Sequence, residues 1–321
     1  MTLGGKIGGG GEGDVFELRD RPGRAAKIYH PDKRATRRSK IGAMAARRLH
    51  ERSDLVAFPM EAVASGSGEF LGFIMRQVKE HRPVFQLWIP SERRKRFPHA
   101  DFRFLVRAAA NAARAVAGVH YARCVIGDVN ESGVLVSDQA TVALIDADSF
   151  QVPGPIADRP FLCSVGKPDY TAPELRGGSL EAVVRTQNHD AFGLASLVFQ
   201  LLFLGRLPYA GRPTAADVDL GRAIGEHRFA YSLKRNTGLE PPPGAPKLDD
   251  LSPMLAAAFE SAFAPVGSVG LRPRALQWVD YLERFEAELA PCSLSARHLY
   301  HARAGACTWC RVTAETGVDP F

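Results

Sequence analysis

The chain has 321 residues, of which 45% are hydrophobic and 24% are charged, and its formal net charge is +6 at pH 7. These values are typical of a globular protein with two ordinary domains or one large two-lobed domain. The sequence contains no apolar run long enough for a transmembrane helix, and "MTLGGKIGGGGEG" at its start has no signal-peptide segment, so we expect a cytoplasmic protein.

Basic residues concentrate in the segments 33–52 and 91–97. A solvated helix face and an exposed loop explain such runs without any ligand, whereas an anionic partner would be a nucleotide, an acidic protein or a nucleic acid. The segments lack the interleaved aromatic residues that single-strand binders use, which argues against nucleic acid. Five cysteines are too few for a disulfide framework in a chain of this size.

The first 80 residues alternate short β-prone stretches with turns. The pieces "DVFEL" and "AAKIYH" follow a glycine-rich turn and predict a hairpin, and "FPMEAVAS" and "EFLGFIMRQV", separated by "GSG", predict a second strand pair. Between the two pairs, apolar residues at helical spacing predict a helix over 35–52. The polar, proline-containing segment 81–100 is interpreted as a loop.

An alanine-rich segment, 100–122, predicts a long helix, and the short strands "CVIGD", "GVLVS" and "TVALIDADSF" follow it. The stretch "VIGDVNESGVLV" (125–136) is by itself either a polar turn between two buried strands or a catalytic loop around Asp128. After about residue 190 the pattern is mostly helical, and "LASLVFQLLFLG" (194–205) has the length of a buried core helix.

The stretch "GGGGEGDVF" places Gly8, Gly10, Gly13 and Val15 in a G-x-G-x-x-G-x-V arrangement. Glycines allow a tight turn whose backbone N–H groups lie against phosphates, and a flexible N-terminal tail is the alternative explanation. Because the glycines lie between strands and do not open a helix, the pattern argues against a Rossmann unit. Lys27, within a short apolar strand, is either a solvent-facing edge residue or a cation that neutralises the phosphates.

Further elements follow in a fixed order: Asp128, then Asp146 in "LIDADSF", then "YTAPEL", "HDAFGLASLVFQLLFLGRLPY" and "GLRPRALQWVDYL". With the glycine-rich turn and Lys27, these elements resemble the protein kinase superfamily over residues 5 to about 288. The resemblance implies an α+β, two-lobed fold. Its expected domains are a small β-rich N-lobe (1–80), a larger helical C-lobe (81–288) and a C-terminal module (289–321).

The resemblance also implies nucleotide-binding residues. Gly8, Gly10 and Gly13 would form the loop that covers the phosphates of ATP, with Val15 at its end. Lys27 would contact the α- and β-phosphates. Phosphoryl transfer requires mainly positioning and charge neutralisation, so that a lysine, a metal-holding carboxylate and an aligned base are most of what it needs.

The remaining roles fall on acidic residues. Asp128 would be the catalytic base that orients the acceptor hydroxyl, and Asp146 would chelate Mg²⁺ or Mn²⁺. Glu174, in "APE", would pair with Arg272, and Asp190 would anchor the catalytic loop. "TAPEL" and Arg272 build a platform for protein substrates, which argues against a small-molecule phosphotransferase of the aminoglycoside-kinase type.

The chain departs from the family pattern around its catalytic loop. Ile126-Gly127 replaces the usual His-Arg, so that control by an activation-loop phosphate is not expected. Gly133 stands where an asparagine usually binds the second metal ion, and Asn130 is a catalytic-loop candidate to supply an amide oxygen instead. Asp148 shares a strand face with Asp146 and either gives the metal a second carboxylate or faces solvent.

The glutamate that the family places on its first helix is also missing. Ala46 stands near the expected position, and Glu51 is the only acidic residue in the predicted helix. Glu12, in the glycine-rich turn, is an unusual residue to place beside phosphates. We expect it to contact Lys27 and to hold the site shut when no nucleotide is bound.

The C-terminal segment "CSLSARHLYHARAGACTWC" (292–310) predicts a metal site. The two-residue spacing of Cys307 and Cys310 is that of a zinc knuckle, and Cys292 with a histidine would complete a Cys₃His set. His298 and His301 compete for the fourth position, and His298 is favoured. The zinc ion would be structural, because the tail is too short for a core of its own.

The leading interpretation is an ATP-dependent protein serine/threonine kinase with Mg²⁺ or Mn²⁺, with candidate self-modification sites at Ser149, Ser164 and Thr171. The alternative is a pseudokinase that acts as a scaffold. A narrower resemblance, carried by "GDVN", "LIDADSF" and "GGEG", is to bacterial kinases of tellurite-resistance-like modules. It implies a von Willebrand A-domain protein and a PP2C-type phosphatase as partners.

Overall fold

The computed structural model describes residues 1–156 and 159–321, and its N-terminal part is an antiparallel sheet. The sheet has five strands in the order β1-β2-β3-β5-β4. Val15 lies opposite Lys27 in the β2–β3 pair, and Lys27 lies opposite Phe73 in the β3–β5 pair. Both predicted strand pairs are confirmed. The strands are β1 (Leu3–Gly10), β2 (Gly13–Leu18), β3 (Arg24–Tyr29), β4 (Pro59–Ala64) and β5 (Phe70–Arg76).

Helix α1 (Pro31–Ala46) packs against β4 and β5. It begins earlier than the predicted 35–52 because Pro31, whose φ suits the first turn, occupies its first position. It ends earlier because Arg48 adopts a left-handed φ of 52° before a short 3₁₀ turn. Its buried residues Lys40, Ile41 and Met44 share one face, and the lysine among them already indicates that this face is not only hydrophobic.

The prediction of a loop over 81–100 was wrong. The segment forms a short strand and two helices, of which the second contains most of the basic run 91–97. Arg93 within that run is buried, donates to the carbonyl oxygen of Leu87 at 2.6 Å, and lies over the ring of Phe321 at 4.5 Å. One arginine of an apparently solvated run is therefore a packing residue. The elements are β6 (His81–Pro83), α2 (Phe85–Trp88) and α3 (Pro90–Arg96).

The predicted helix over 100–122 is confirmed as α4 (Phe102–Tyr121). Asp101 caps its N-terminus by accepting the backbone N–H of Phe104 at 2.9 Å. Eleven of its residues are buried, six of them alanines, and small side chains allow helices on both sides to approach closely. These helices are α5 (Gln187–Leu202) and α8 (Ala275–Ala287).

A hairpin positions the two aspartates that the sequence singled out. Strands β7 (Val134–Ser137) and β8 (Val142–Leu144) are antiparallel, and Val134 lies opposite Leu144. In such a hairpin the residues before the first strand and after the second meet at one end. Asp128 precedes β7 and Asp146 follows β8, so that the hairpin brings them to the same edge.

Every residue of α5 from Asp190 to Leu202 is buried, as the apolar stretch predicted. None of the helices in residues 1–156 and 159–321 is long and apolar enough to cross a membrane. The remaining elements are β9 (Arg212–Pro213), α6 (Leu220–Gly225), β10 (Leu239–Glu240), α7 (Pro253–Phe263), β11 (Leu289–Pro291), β12 (Leu299–His301) and α9 (Thr308–Thr316).

Candidate active site and metal cluster

A cleft of about 520 Å³ lies between the glycine-rich turn and the β7–β8 edge. This volume falls in the range of ligand pockets, roughly 300–1,000 Å³. The cleft brings together all the residues predicted to bind nucleotide, although they come from segments more than 100 positions apart in the sequence. Its lining residues include Gly8, Gly10, Gly13, Val15, Lys27, Arg37, Asp128, Asp146, Asp148 and Ser149.

The glycine-rich turn is the hairpin between β1 and β2, in which Gly10 lies opposite Gly13. A Cβ atom on Gly13 would lie 2.3 Å from the carbonyl oxygen of Ile28, so that the packing of β2 on β3 requires a glycine there. At Gly10 a Cβ atom would meet nothing within 4 Å. Gly13 is thus explained by the sheet alone, whereas Gly10 leaves open space above the cleft.

Lys27 is buried and its ammonium group is paired with a carboxylate. Its Nζ lies 2.8 Å from Oδ2 of Asp148, and the same oxygen accepts the hydroxyl of Tyr29 at 2.7 Å. The side chains of Lys27 and Asp148 are 11% and 2% exposed. Burial opposes ionisation of Asp148, but Lys27 and Tyr29 outweigh it and keep the pKa of its carboxyl below the ordinary value. Asp148 therefore holds Lys27 at the cleft as a charged pair.

Helix α1 contributes cations to this region and no carboxylate. Lys40 is buried and donates to the carbonyl oxygens of Ser149 at 3.0 Å and Leu162 at 3.2 Å. Burial, reinforced by the charge of Arg37, lowers the pKa of Lys40 to about 8. Arg37 contacts the carbonyl oxygen of Asp148 at 3.5 Å and forms an ion pair with Glu12. The expected contact between Glu12 and Lys27 is thus wrong, because Lys27 is already paired with Asp148.

The two central carboxylates have different surroundings. Asp128 accepts the backbone N–H of Lys167 at its Oδ1, at 2.9 Å, and its Oδ2 has no donor among the residues that the structure describes. The side chain of Asp146 faces the cleft from a backbone with a left-handed φ of 57°. Desolvation by the cleft walls raises the pKa of Asp146; the charge of Lys27 opposes this rise and that of Asp148 adds to it. Carboxylates gathered in this way suit a cation.

Arg185 joins the loop around Asp128 to the segment that precedes "TAPEL". The residue is 2% exposed, its Nη1 donates to the carbonyl oxygen of Gly127, and its Nη2 donates to that of Val165 at 2.6 Å. Gly127 has a φ of +77°, and a Cβ atom there would lie 2.7 Å from Cβ of Cys163 and 3.0 Å from Nη1 of Arg185. The glycine is required because Arg185 and Cys163 fill the space beside the loop.

Two predicted anchors are confirmed by their contacts. Asp190 accepts the backbone N–H groups of Ile126 and Gly127 at 2.7 and 2.8 Å, and His120 Nε2 lies 2.9 Å from its Oδ2. Glu174 and Arg272 form a bidentate pair with N–O distances of 2.5 and 2.8 Å. Asp190 thus fixes the backbone just before Asp128, whereas the pair of Glu174 and Arg272 ties "APE" to the carbonyl oxygens of Asn188 and Ala262, to which Arg272 also donates.

Asn130 does not line the cleft itself but an adjoining cavity of about 50 Å³, whose lining shares Asp128 and Asp146 with the cleft. Its Oδ1 accepts the backbone N–H groups of Ser132 at 2.8 Å and Gly133 at 3.2 Å, which closes the turn before β7. A metal ion would compete with both donors, and a catalytic or metal-binding role for Asn130 stays a prediction. So does metal binding by Asp148, whose Oδ2 is occupied by Lys27 and Tyr29.

The three candidate modification sites differ in exposure. Ser149 lines the cleft and its hydroxyl donates to the carbonyl oxygen of Asp146 at 2.8 Å. Thr171 donates to the carbonyl oxygen of Lys167 at 2.9 Å. Ser164 is exposed. Ser164 is the site that an external active site could reach without breaking one of these hydrogen bonds.

The predicted Cys₃His set gathers in the C-terminal segment, with one ligand atom from each residue within 4.8 Å of the others. Sγ of Cys292 and Sγ of Cys310 are 3.5 Å apart, and Nδ1 of His298 lies 3.7 Å from Sγ of Cys307 and 3.5 Å from Sγ of Cys310. Tetrahedral zinc with bonds of about 2.3 Å would separate two sulfur atoms by about 3.8 Å. The four side chains fit such an ion.

The competition between the two histidines is resolved by their other partners. Nε2 of His298 lies 2.9 Å from Oδ1 of Asp319, which orients Nδ1 toward the sulfur atoms. His301 instead contacts Glu288 at 2.8 Å and stacks on Phe285. His298, the favoured residue, therefore belongs to the cluster and His301 to the packing of the tail.

Sequence reasoning missed three residues of this region: Arg37, Lys40 and Arg185. The first two lie three positions apart on one helix face, within the segment 33–52, for which the sequence left open a solvated face or an anionic partner. The available signal was the excess of eight cations over a single acidic residue in that segment, which is typical of a surface that faces an anion. No sequence pattern around Arg185 indicated that it would contact the loop around Asp128.

No family model matches the chain. Two curated relatives, both named protein kinase YegI, come from Escherichia coli strain K12 and Escherichia coli O157:H7. They are 38% and 37% identical to the chain over 314 and 315 residues, which are 96% and 97% of its length. The chain spans about half the length of these relatives, 48% of each.

Proposed function

The chain belongs to a protein kinase-like family, and we propose that it transfers the γ-phosphoryl group of ATP to a serine or threonine hydroxyl of a partner protein. The observation that carries the proposal is the cleft in which Lys27, Asp128 and Asp146 converge under the glycine-rich turn. A cation, a carboxylate with an unoccupied oxygen and a carboxylate suited to a metal ion are the groups that phosphoryl transfer requires.

In the proposed reaction the glycine-rich turn covers the triphosphate, and Lys27 neutralises its α- and β-phosphates. Oδ2 of Asp128 accepts the proton of the acceptor hydroxyl. The hydroxyl oxygen then forms a bond to the γ-phosphorus while the bond to the bridging oxygen of ADP breaks. Asp146 would hold Mg²⁺ or Mn²⁺, which neutralises phosphate charge when bound.

The proposed domain organisation follows the expected boundaries. The sheet and α1 within 1–80 would form the small lobe, 81–288 the helical lobe, and 289–321 a module held by zinc. The ion pair between Lys27 and Asp148, which joins β3 to the segment after β8, supports a cleft between two lobes. The expected partners, a von Willebrand A-domain protein and a PP2C-type phosphatase, and the cytoplasmic location stay predictions.

A nucleotide-binding scaffold without activity is the second candidate, and Gly133 favours it. A glycine at this position offers no ligand to a second metal ion, and Asn130, the other candidate, uses its oxygen within the turn. The presence of Lys27, Asp128 and Asp146 in one cleft favours the active enzyme.

An assay with radiolabelled ATP and Mn²⁺ separates the two candidates. The wild-type chain is expected to label itself or a partner protein, and Asp128→Asn is expected to label neither while ATP still raises its melting temperature. Wild-type protein that ATP stabilises but that transfers no label would establish the scaffold. Protein that ATP neither stabilises nor labels would contradict both.

We propose that Cys292, His298, Cys307 and Cys310 bind one structural zinc ion, which would hold β11, β12 and α9 together. Metal analysis of the purified chain should return about one zinc per chain. His298→Gln should lower this content, and His301→Gln is the matched control because its side chain contacts Glu288 instead. Equal zinc loss in both variants, or no zinc in the wild type, would contradict the assignment.

A further inference from the structure

We propose that Arg37 of helix α1 is a second phosphate-binding cation of the cleft, and that Glu12 of the glycine-rich turn occupies it until a nucleotide binds. The inference rests on the proposed function, because the ligand is the triphosphate of ATP. In the family pattern this helix supplies a glutamate to the lysine of the cleft, whereas here it would supply an arginine to the phosphates.

The position of Arg37 supports this role. Its side chain lines the same cleft as Lys27, Asp128 and Asp146, and it is 14% exposed. Lys40, three residues later on the same helix face, is fully engaged by the carbonyl oxygens of Ser149 and Leu162. Lys40 thus fastens the helix to the segment after β8, and Arg37 is the cation of this face that reaches the cleft.

The partners of Arg37 are replaceable. Its contact with the carbonyl oxygen of Asp148 is long, at 3.5 Å, and its ion pair is with a glutamate whose side chain is 33% exposed. Ion pairs between two solvent-exposed side chains strengthen an equilibrium by about fivefold at most, and the exposure of Glu12 keeps this pair accessible to a competing anion. A guanidinium group binds phosphate oxygens through two parallel hydrogen bonds, and a triphosphate carries several negative charges where Glu12 carries one. The triphosphate would therefore displace Glu12.

The position of Glu12 in the glycine-rich turn allows phosphates to replace its carboxylate at Arg37. It sits between Gly11 and Gly13 at the tip of the β1–β2 hairpin, and a Cβ atom at Gly10 or Gly11 would meet nothing within 4 Å. In the structure, where Glu12 is paired with Arg37, the residues of the tip line the cleft. Phosphates that take over Arg37 would release the carboxylate of Glu12.

The experiment measures the affinities of ATP and adenosine by calorimetry for four purified chains: wild type, Glu12→Gln, Arg37→Gln and the double variant. Glu12→Gln is expected to bind ATP about three- to fivefold more tightly. Arg37→Gln is expected to bind ATP at least about tenfold more weakly, with adenosine unchanged. The double variant should match Arg37→Gln, because Glu12 acts only through Arg37.

The matched control is Glu69→Gln. Glu69 pairs with Arg34 of the same helix at 2.7 Å on the outer surface, so that its loss should leave both affinities unchanged. Equal weakening of ATP and adenosine by Arg37→Gln, or weaker ATP binding by Glu12→Gln, would overturn the inference while the proposed function stood. Wild-type protein that binds no ATP would overturn both.

Discussion

The two sides of the cleft follow the family pattern to different degrees. On the side of the loop around Asp128, both Asp128 and Asp146 line the cleft, and Asp190 makes the contacts expected of it. On the side of helix α1 the expected glutamate is missing, and Lys27 is held by Asp148 from the segment after β8. The residues proposed for the chemistry thus remain, whereas those that position them come from other parts of the chain.

This difference has a physical basis. An attacking hydroxyl and a transferring phosphoryl group require a carboxylate and a metal ligand at fixed places, and few other side chains can replace them. A lysine needs only a buried carboxylate within hydrogen-bond distance, and the segment of chain that supplies it does not matter. Asp148 meets this requirement at 2.8 Å, which leaves α1 available to present Arg37 and Lys40.

Among the substitutions that test this comparison, we expect the one at Asp146 to lower phosphoryl transfer the most. Asp146→Asn removes the charge that holds the proposed metal ion, and we expect phosphoryl transfer to fall by at least about a hundredfold. Kinetic assays over a range of Mn²⁺ concentrations measure the loss. If Asp146→Asn kept wild-type activity at saturating Mn²⁺, another residue would have to be the principal metal ligand.

Asp148→Asn tests whether Asp148 positions Lys27 in place of the glutamate that the family pattern puts on helix α1. The amide still accepts hydrogen bonds but no longer balances the buried charge of Lys27, so we expect transfer to fall by about ten- to a hundredfold through misplacement of the phosphates. The metal concentration required for half-maximal activity should not change. A higher metal requirement with unchanged ATP affinity would instead make Asp148 the second metal ligand that the sequence suggested.

Arg185→Gln tests the link between the catalytic loop and the segment before "TAPEL". The variant loses a charged donor to the carbonyl oxygens of Gly127 and Val165. We expect kcat to fall about tenfold with the KM for ATP unchanged, because Arg185 positions Asp128 without lining the cleft. A proportional loss of ATP binding would indicate general unfolding and not a positioning role.

The sequence predicted those features of the molecule that have a recognisable pattern of residue types. The order of separated kinase-like elements singled out Lys27 and Asp128, the spacing of cysteines and histidines singled out the Cys₃His set, and β-prone stretches between turns predicted both N-terminal strand pairs. Arg93 in the supposed loop 81–100 and Arg185 near the end of a coil were missed. Both arginines donate to carbonyl oxygens of residues that only the fold brings near. Because every residue has a carbonyl oxygen, the sequence cannot indicate which of them accept these hydrogen bonds.

A smaller effect is expected from restoring the family pattern at Gly133. A Cβ atom there would meet only the carbonyl oxygen of Asn130, at 3.9 Å, so that the backbone has room for a side chain at this position. Gly133→Asn should lower the Mg²⁺ concentration required for half-maximal activity by a few-fold, since an amide oxygen is a suitable Mg²⁺ ligand. Gly133→Ala, which adds volume without a ligand, is the control and should leave the requirement unchanged.

The smallest expected effect concerns the pair of Glu174 and Arg272, on the side that keeps the family pattern. Burial opposes ionisation of Glu174, but its hydrogen bonds to Arg272 prevail and hold the pKa of its carboxyl below 4.5, its ordinary value. A carboxyl group whose pKa is lower in the folded chain stabilises the fold fully above the unfolded pKa. That contribution disappears as the pH falls from about 4.5 through the folded pKa. The melting temperature of the wild type should therefore drop more steeply below pH 4.5 than that of Glu174→Gln, because the variant has no proton to bind there. Parallel curves for the two proteins would mean that the pKa of Glu174 is the same in the folded and unfolded chain, and that the charge of the ion pair does not stabilise the fold.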